Sequence, residues 1–83
     1  MRSVFTDEYA AFTRRIIAAR KDTGLTQQQL AERIGKPQSF VSKYERGERR
    51  VDLIEFLAIA EALGFDPSRF IRSLKSRRKK TRS

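Results

Sequence analysis

Apolar residues recur at steps of three and four along most of the chain, as in Tyr9, Phe12 and Ile16 and again in Leu53, Phe56, Leu57, Ala60 and Leu63. That spacing puts them on one face of a helix, and no stretch alternates with the period of two that a half-buried strand needs. The pattern predicts an all-α fold. Helix starts leave unpaired N–H groups that a short polar side chain can satisfy, so the boundaries follow from the capping residues. Thr6 opens the first helix, whose first turn holds Asp7 and Glu8 and which ends before Gly24. Thr26 and Gln29 form a capping box for the second, with Leu25 and Leu30 at the staple positions and Gly35 at its end. Pro37 separates it from a third helix over about 38–45, closed by Arg46 and Gly47. The fourth starts after Asp52, with Glu55 three residues on and Val51/Phe56 as a second staple, and ends at Gly64. Asp66, Pro67 and the Phe65/Phe70 pair begin a fifth, whose apolar stripe is Phe70, Ile71 and Leu74.

Five short helices in 83 residues make one domain, here assigned to residues 1–74, followed by a basic tail over 75–83. With 39% apolar residues the core is small, so oligomerisation or very regular helix packing is an expected supplement. The absence of Cys and His removes disulfides, the usual zinc sites and the commonest nucleophiles and general base. No enzyme activity, catalytic residue, metal or cofactor is expected. Asp7/Glu8 and Asp52/Glu55 are read as helix-start charges rather than a catalytic pair. No apolar run is long enough to span a bilayer, and Met1 to Thr6 lacks the pattern of a signal peptide. The expectation is a cytoplasmic, nucleoid-associated protein with no membrane contact.

Charge narrows the partner. Nineteen basic against ten acidic residues give +9, which suits a polyanion. Seven of the basic residues fall between Arg72 and Ser83 with no acid among them. A Ser/Lys/Arg segment of this kind cannot bury apolar surface and is expected to be disordered alone. It has three readings: sequence-independent attraction to phosphates, a protein or RNA contact, or a solubilising end. A second basic window, Arg33 to Arg50, holds six basic and two acidic residues and lies inside the folded part.

On the third helix Val41 and Tyr44 point one way, while Gln38, Ser39, Ser42, Lys43 and Arg46 share the opposite face. An ordinary solvated helix carries such residues too. So does a helix that enters a major groove, where Gln addresses adenine and Lys or Arg addresses guanine or phosphate.

The segment Leu25 to Gly47, LTQQQLAERIGKPQSFVSKYERG, resembles the phage-repressor (Cro/cI-type) helix-turn-helix family. The likeness rests on Arg20 ahead of Gly24-Leu25-Thr26-Gln27, on Leu30-Ala31, on the turn at Gly35, on Val41-Ser42 and on Glu45-x-Gly47. With the Ala60-x-x-Leu63-Gly64 ending of the fourth helix it spans roughly residues 10 to 72. It implies a five-helix, lambda-repressor-like domain that binds double-stranded DNA with its third helix in the major groove. Carried over by position, Gln38, Ser39, Ser42 and Lys43 read bases. Gln27, Gln28, Lys36, Arg46, Arg49 and Arg50 contact phosphates, and Arg20 with Glu45 form a structural pair. Two departures stand out: Pro37 where a small hydroxyl cap is usual, and the bulky Phe40, which is placed in partial core packing, against a thymine methyl or at a subunit contact. Tyr44 is expected in the core with its hydroxyl reaching water.

The functional expectation is a homodimeric transcriptional regulator on a palindromic operator, with half-sites about 34 Å apart. Phe65, Phe70, Ile71 and Leu74 are the candidate dimer interface, unless they close the monomer core instead. The alternatives are an antitoxin that also grips a toxin protein, and a restriction-modification controller.

Overall fold

The computed structural model describes residues 6–78, with side chains as far as Leu74. Each helix starts where a side chain can take up its free N–H groups. Thr6 Oγ1 accepts from the Tyr9 N–H at 3.0 Å and opens α1 (Asp7–Thr23). In the capping box of α2 (Gln27–Ile34), Thr26 Oγ1 accepts from the Gln29 N–H at 3.0 Å, and Gln29 Oε1 accepts from the Thr26 N–H at 2.9 Å. Asp52 and Glu55 repeat the arrangement at the start of α4 (Leu53–Leu63), at 2.8 and 2.9 Å. Asp66 Oδ1 takes the Ser68 N–H at 2.9 Å ahead of α5 (Pro67–Arg78). Only α3 (Gln38–Glu45) lacks a side-chain cap among α1–α4, because extended Pro37 stands at that position.

No strand occurs among the described residues, and no described helix is long and apolar enough to cross a membrane. One boundary differs from the sequence reading: α5 continues to Arg78, past residue 75. Arg and Lys are good helix formers, so a basic composition alone does not end a helix. The rest of the expected tail, 79–83, lies outside the described residues.

The eight-residue helices α2 and α3 are too short to persist alone and are held by packing. Ile16 of α1, Leu30 of α2, Val41 and Tyr44 of α3 and Ile59 of α4 are all almost fully buried in one cluster. Each such aliphatic side chain contributes about 1.5–3 kcal/mol. A second group is aromatic. Phe70 stacks on Phe65 at 4.9 Å between centroids, meets Phe56 at 5.3 Å and Phe12 edge-on at 5.8 Å, so it ties α5 to α1 and α4.

Packing decides three points that spacing alone left open or misplaced. Phe70 is 7% exposed and belongs to the monomer core, with Phe65 and Leu74 packed partly buried against it; of the expected interface set only Ile71 is open. Leu53 and Leu57, which share a helical spacing with Phe56, are exposed together with Ile54, because the rest of the domain covers only the side of α4 that carries Phe56, Ile59, Ala60 and Leu63. Tyr44 is buried to its tip, and its hydroxyl has no hydrogen-bond partner among the described residues.

Candidate nucleic-acid interface

Gly35 sits in the left-handed region at φ +71° and ends α2, and the Lys36 N–H returns to the Ala31 carbonyl at 3.0 Å. That turn redirects the chain within the three residues Gly35 to Pro37 and lays α3 against α2. Phe40, Val41 and Tyr44 face inward, while Gln38, Ser39 and Lys43 face solvent and Ser42 is half-buried. All four expected base-reading residues therefore share the outer side of α3.

A chain of polar contacts fixes this face to the body of the domain. Glu45, at the end of α3, is almost buried and accepts from Arg20 Nε at 2.8 Å, Arg20 Nη2 at 3.0 Å and Gln27 Nε2 at 2.9 Å. Arg20 Nη1 also donates to the Leu25 carbonyl at 2.8 Å, so one guanidinium joins α1, the α1–α2 connection and α3. Its hydrogen bonds to Glu45 outweigh the effect of burial and raise the Arg20 pKa further. The chain then leaves the interior. Gln27 Oε1 accepts from Gln38 Nε2 at 3.4 Å, at the long end of the hydrogen-bond range.

The expected phosphate-contacting residues lie around α3 but are not all open. Lys36 and Arg49 flank the Phe40 ring at 5.3 and 4.7 Å from its centroid, which places Phe40 in the core as a platform for two cations. Arg49 also donates to Glu55 at 3.0 and 3.4 Å. Burial pushes the Glu55 carboxyl up, but the hydrogen bonds from Arg49 and the Asp52 backbone outweigh it and hold its pKa below the usual carboxylate range. Arg50 lies over the Tyr9 ring at 4.4 Å, and the Tyr9 hydroxyl accepts from the Val51 N–H at 2.9 Å. Arg46 is bound by Glu48 through two short contacts. Gln28 is exposed and reaches Glu32 at 3.4 Å.

Sequence reasoning missed Glu48, Glu55 and Tyr9 as partners of these cations. Glu48 was legible as an acid two residues from Arg46, and Glu55 as part of a cap. The Tyr9 contact, 41 residues away from Arg50 in the sequence, had no local signal. Among the described residues, no His, Cys, Asp and Glu group gathers as a metal would require.

A short helix presented outward by a preceding helix and a glycine turn, with cations on both flanks, defines a helix-turn-helix regulator of the DNA-binding class. Residues 16–70 match the family described as Helix-turn-helix, and the chain belongs to that family, in its XRE-type branch. An XRE-family-like protein from Pseudomonas syringae pv. tomato strain DC3000 is similar at 43% identity, with 83% of this chain and 84% of that one covered and a TM-score of 0.81. The restriction-modification controller protein C.AhdI from Aeromonas hydrophila is similar at 37% identity over 78% of this chain and 99% of that one, with a TM-score of 0.69. The clp gene regulator ClgR from C. glutamicum, at 21% identity over 90% and 96% of the two chains and a TM-score of 0.73, shares the fold. No curated protein sequence matches this chain.

Proposed function

We propose that this chain is a homodimeric transcriptional regulator that binds a palindromic operator, with α3 of each subunit in the major groove. The observation that carries the reading is the orientation of Gln38. Because Gln27 Nε2 donates to Glu45, Gln27 turns its Oε1 toward Gln38 and takes one of that amide's two N–H groups. Gln38 Oε1 and the second N–H stay available, and that pair matches the N6 donor and N7 acceptor of adenine. Ser39, Ser42 and Lys43 read neighbouring bases. Gln27, Gln28, Lys36, Arg46, Arg49 and Arg50 hold the phosphates, which fix register without reading sequence.

A domain of this size covers too little DNA for tight specific binding alone, so a two-fold copy supplies the second half-site. The surface that suits such a copy is on α4 rather than the aromatic end of α5. Leu53, Ile54 and Leu57 are 63%, 71% and 42% exposed within about a third of the helix circumference, and Ile71 of α5 is 42% exposed.

Operators selected from random duplexes test the reading. Gln38→Ala is expected to lose about 1–3 kcal/mol at one adenine and little elsewhere, whereas Arg49→Ala weakens operator and scrambled DNA alike. Equal losses for both variants on both duplexes would remove Gln38 from base reading. Within this class, the likeness to C.AhdI favours a restriction-modification controller. That narrower role requires the selected operator to lie ahead of restriction-modification genes.

A further inference from the structure

The end of α3 is closed by a turn that places an acid beside a DNA-facing arginine. Gly47 adopts φ +80°, the Gly47 N–H donates to the Tyr44 carbonyl at 3.2 Å, and the Glu48 N–H donates to the Lys43 carbonyl at 2.8 Å. This pair of bonds is a Schellman turn, which fixes the backbone on both sides of the glycine. Arg46 and Glu48 consequently meet side by side, Nε to Oε2 at 2.9 Å and Nη2 to Oε1 at 3.0 Å. The geometry is the bidentate fork a guanidinium also offers to a phosphate. Both side chains are about half exposed, at 55% and 52%, so the pair faces water and not the interior.

Arg49 supplies the contrast. Its partner Glu55 is only 14% exposed and also accepts the Asp52 N–H in the α4 capping box, so that carboxylate is held in place whether or not Arg49 stays on it. The Glu48 carboxylate has no such second task among the described residues. An arginine with a removable carboxylate and one with a fixed carboxylate stand three residues apart in the segment that follows α3.

We propose that Glu48 is an internal substitute for phosphate: its carboxylate occupies Arg46 in the free protein and sets how strongly the domain holds any duplex, whatever its sequence. The inference rests on α3 facing DNA. When Arg46 moves to a phosphate, the DNA releases a counterion, but the uncovered Glu48 carboxylate takes one up. The salt dependence of binding then under-reports the Arg46 contact. With Gln at position 48 the uptake disappears.

The test is Glu48→Gln, with operator and scrambled duplexes titrated across salt concentrations, in the wild-type and the Arg46→Ala backgrounds. The variant is expected to bind both duplexes more tightly by the same factor at low salt. Its log–log salt slope is expected to steepen by up to about 0.9, so its advantage shrinks up to about 3.5-fold between about 50 and 200 mM salt. In the Arg46→Ala background the substitution should leave the slope unchanged, as a double-mutant cycle requires of a pairwise effect. Parallel salt lines for wild type and Glu48→Gln overturn the role of Glu48 while leaving α3 as the DNA-reading helix. So does an equal steepening without Arg46, which would mark a general charge effect. A wild type that binds neither duplex overturns the DNA-binding reading and this inference with it.

Discussion

Tyr44, buried, and Arg20, partly buried, show how differently two polar groups at the core can be treated. The Tyr44 hydroxyl is enclosed without a partner among the described residues, and burial raises its pKa well above the ordinary value. Such an unpaired group costs about 1–3 kcal/mol. Tyr44→Phe keeps the ring contact with Phe40 and is expected to stabilise the domain by about 1 kcal/mol, a rise in Tm of about 4–8 °C. A lower melting temperature would show that the hydroxyl contributes a contact. Arg20 is the opposite case, with its charge matched by Glu45 and its remaining donor by the Leu25 carbonyl. Arg20→Met leaves the nearly enclosed Glu45 carboxylate with only the Gln27 amide as a partner, with an expected loss of about 3 kcal/mol in urea denaturation. The double variant with Glu45→Leu should recover part of that loss, since the stranded charge is then gone.

The helices of this domain depend on their ends. α4 begins with a reciprocal cap between Asp52 and Glu55, and Glu55 also holds Arg49 beside Phe40. The same carboxylate therefore starts a helix and orients Arg49, one of the cations proposed to contact phosphate. Its folded-state pKa lies below the ordinary 4.5, so its stabilisation is fully present above that value and is lost as the pH falls through the lowered one. Glu55→Gln is expected to cost about 1 kcal/mol at neutral pH. The gap to wild type should close as the pH drops below about 4.5. Denaturant midpoints measured from pH 7 to pH 3 check this; a gap that stays constant would separate Glu55 from the acid limb.

For the whole molecule, the division between inward and outward apolar residues sets which surface the proposed dimer would use. Phe70 is enclosed in the aromatic core and Phe65 and Leu74 are partly buried against it, whereas Leu53, Ile54, Leu57 and Ile71 are open. Ile54→Glu places a charge on that open face, at its most exposed residue, without touching the core. It is expected to give a folded monomer in sedimentation, with Tm little changed at low protein concentration and a large loss of operator affinity. A dimer of unaltered affinity would move the interface elsewhere.

The number and order of the helices, and every limit but the end of α5, were legible because each is set locally. Thr6, Thr26, Asp52 and Asp66 act on N–H groups two or three residues away, and Gly24, Gly35 and Gly64 end helices through their own backbone freedom. The outer face of α3 was legible for the same reason, since helical periodicity alone assigns Gln38, Ser39 and Lys43 to one side. What only the tertiary structure decided was which apolar stripe is covered and which cation is already paired. Leu53 and Phe56 are both compatible with a core by spacing, yet one is open and the other enclosed because the neighbouring helices cover only part of α4. Arg50 and Tyr9 meet, and Arg20 reaches Glu45, only after the chain has closed on itself. Capping is fixed by chemistry within one turn of helix, whereas burial and charge pairing depend on surfaces that distant segments bring together.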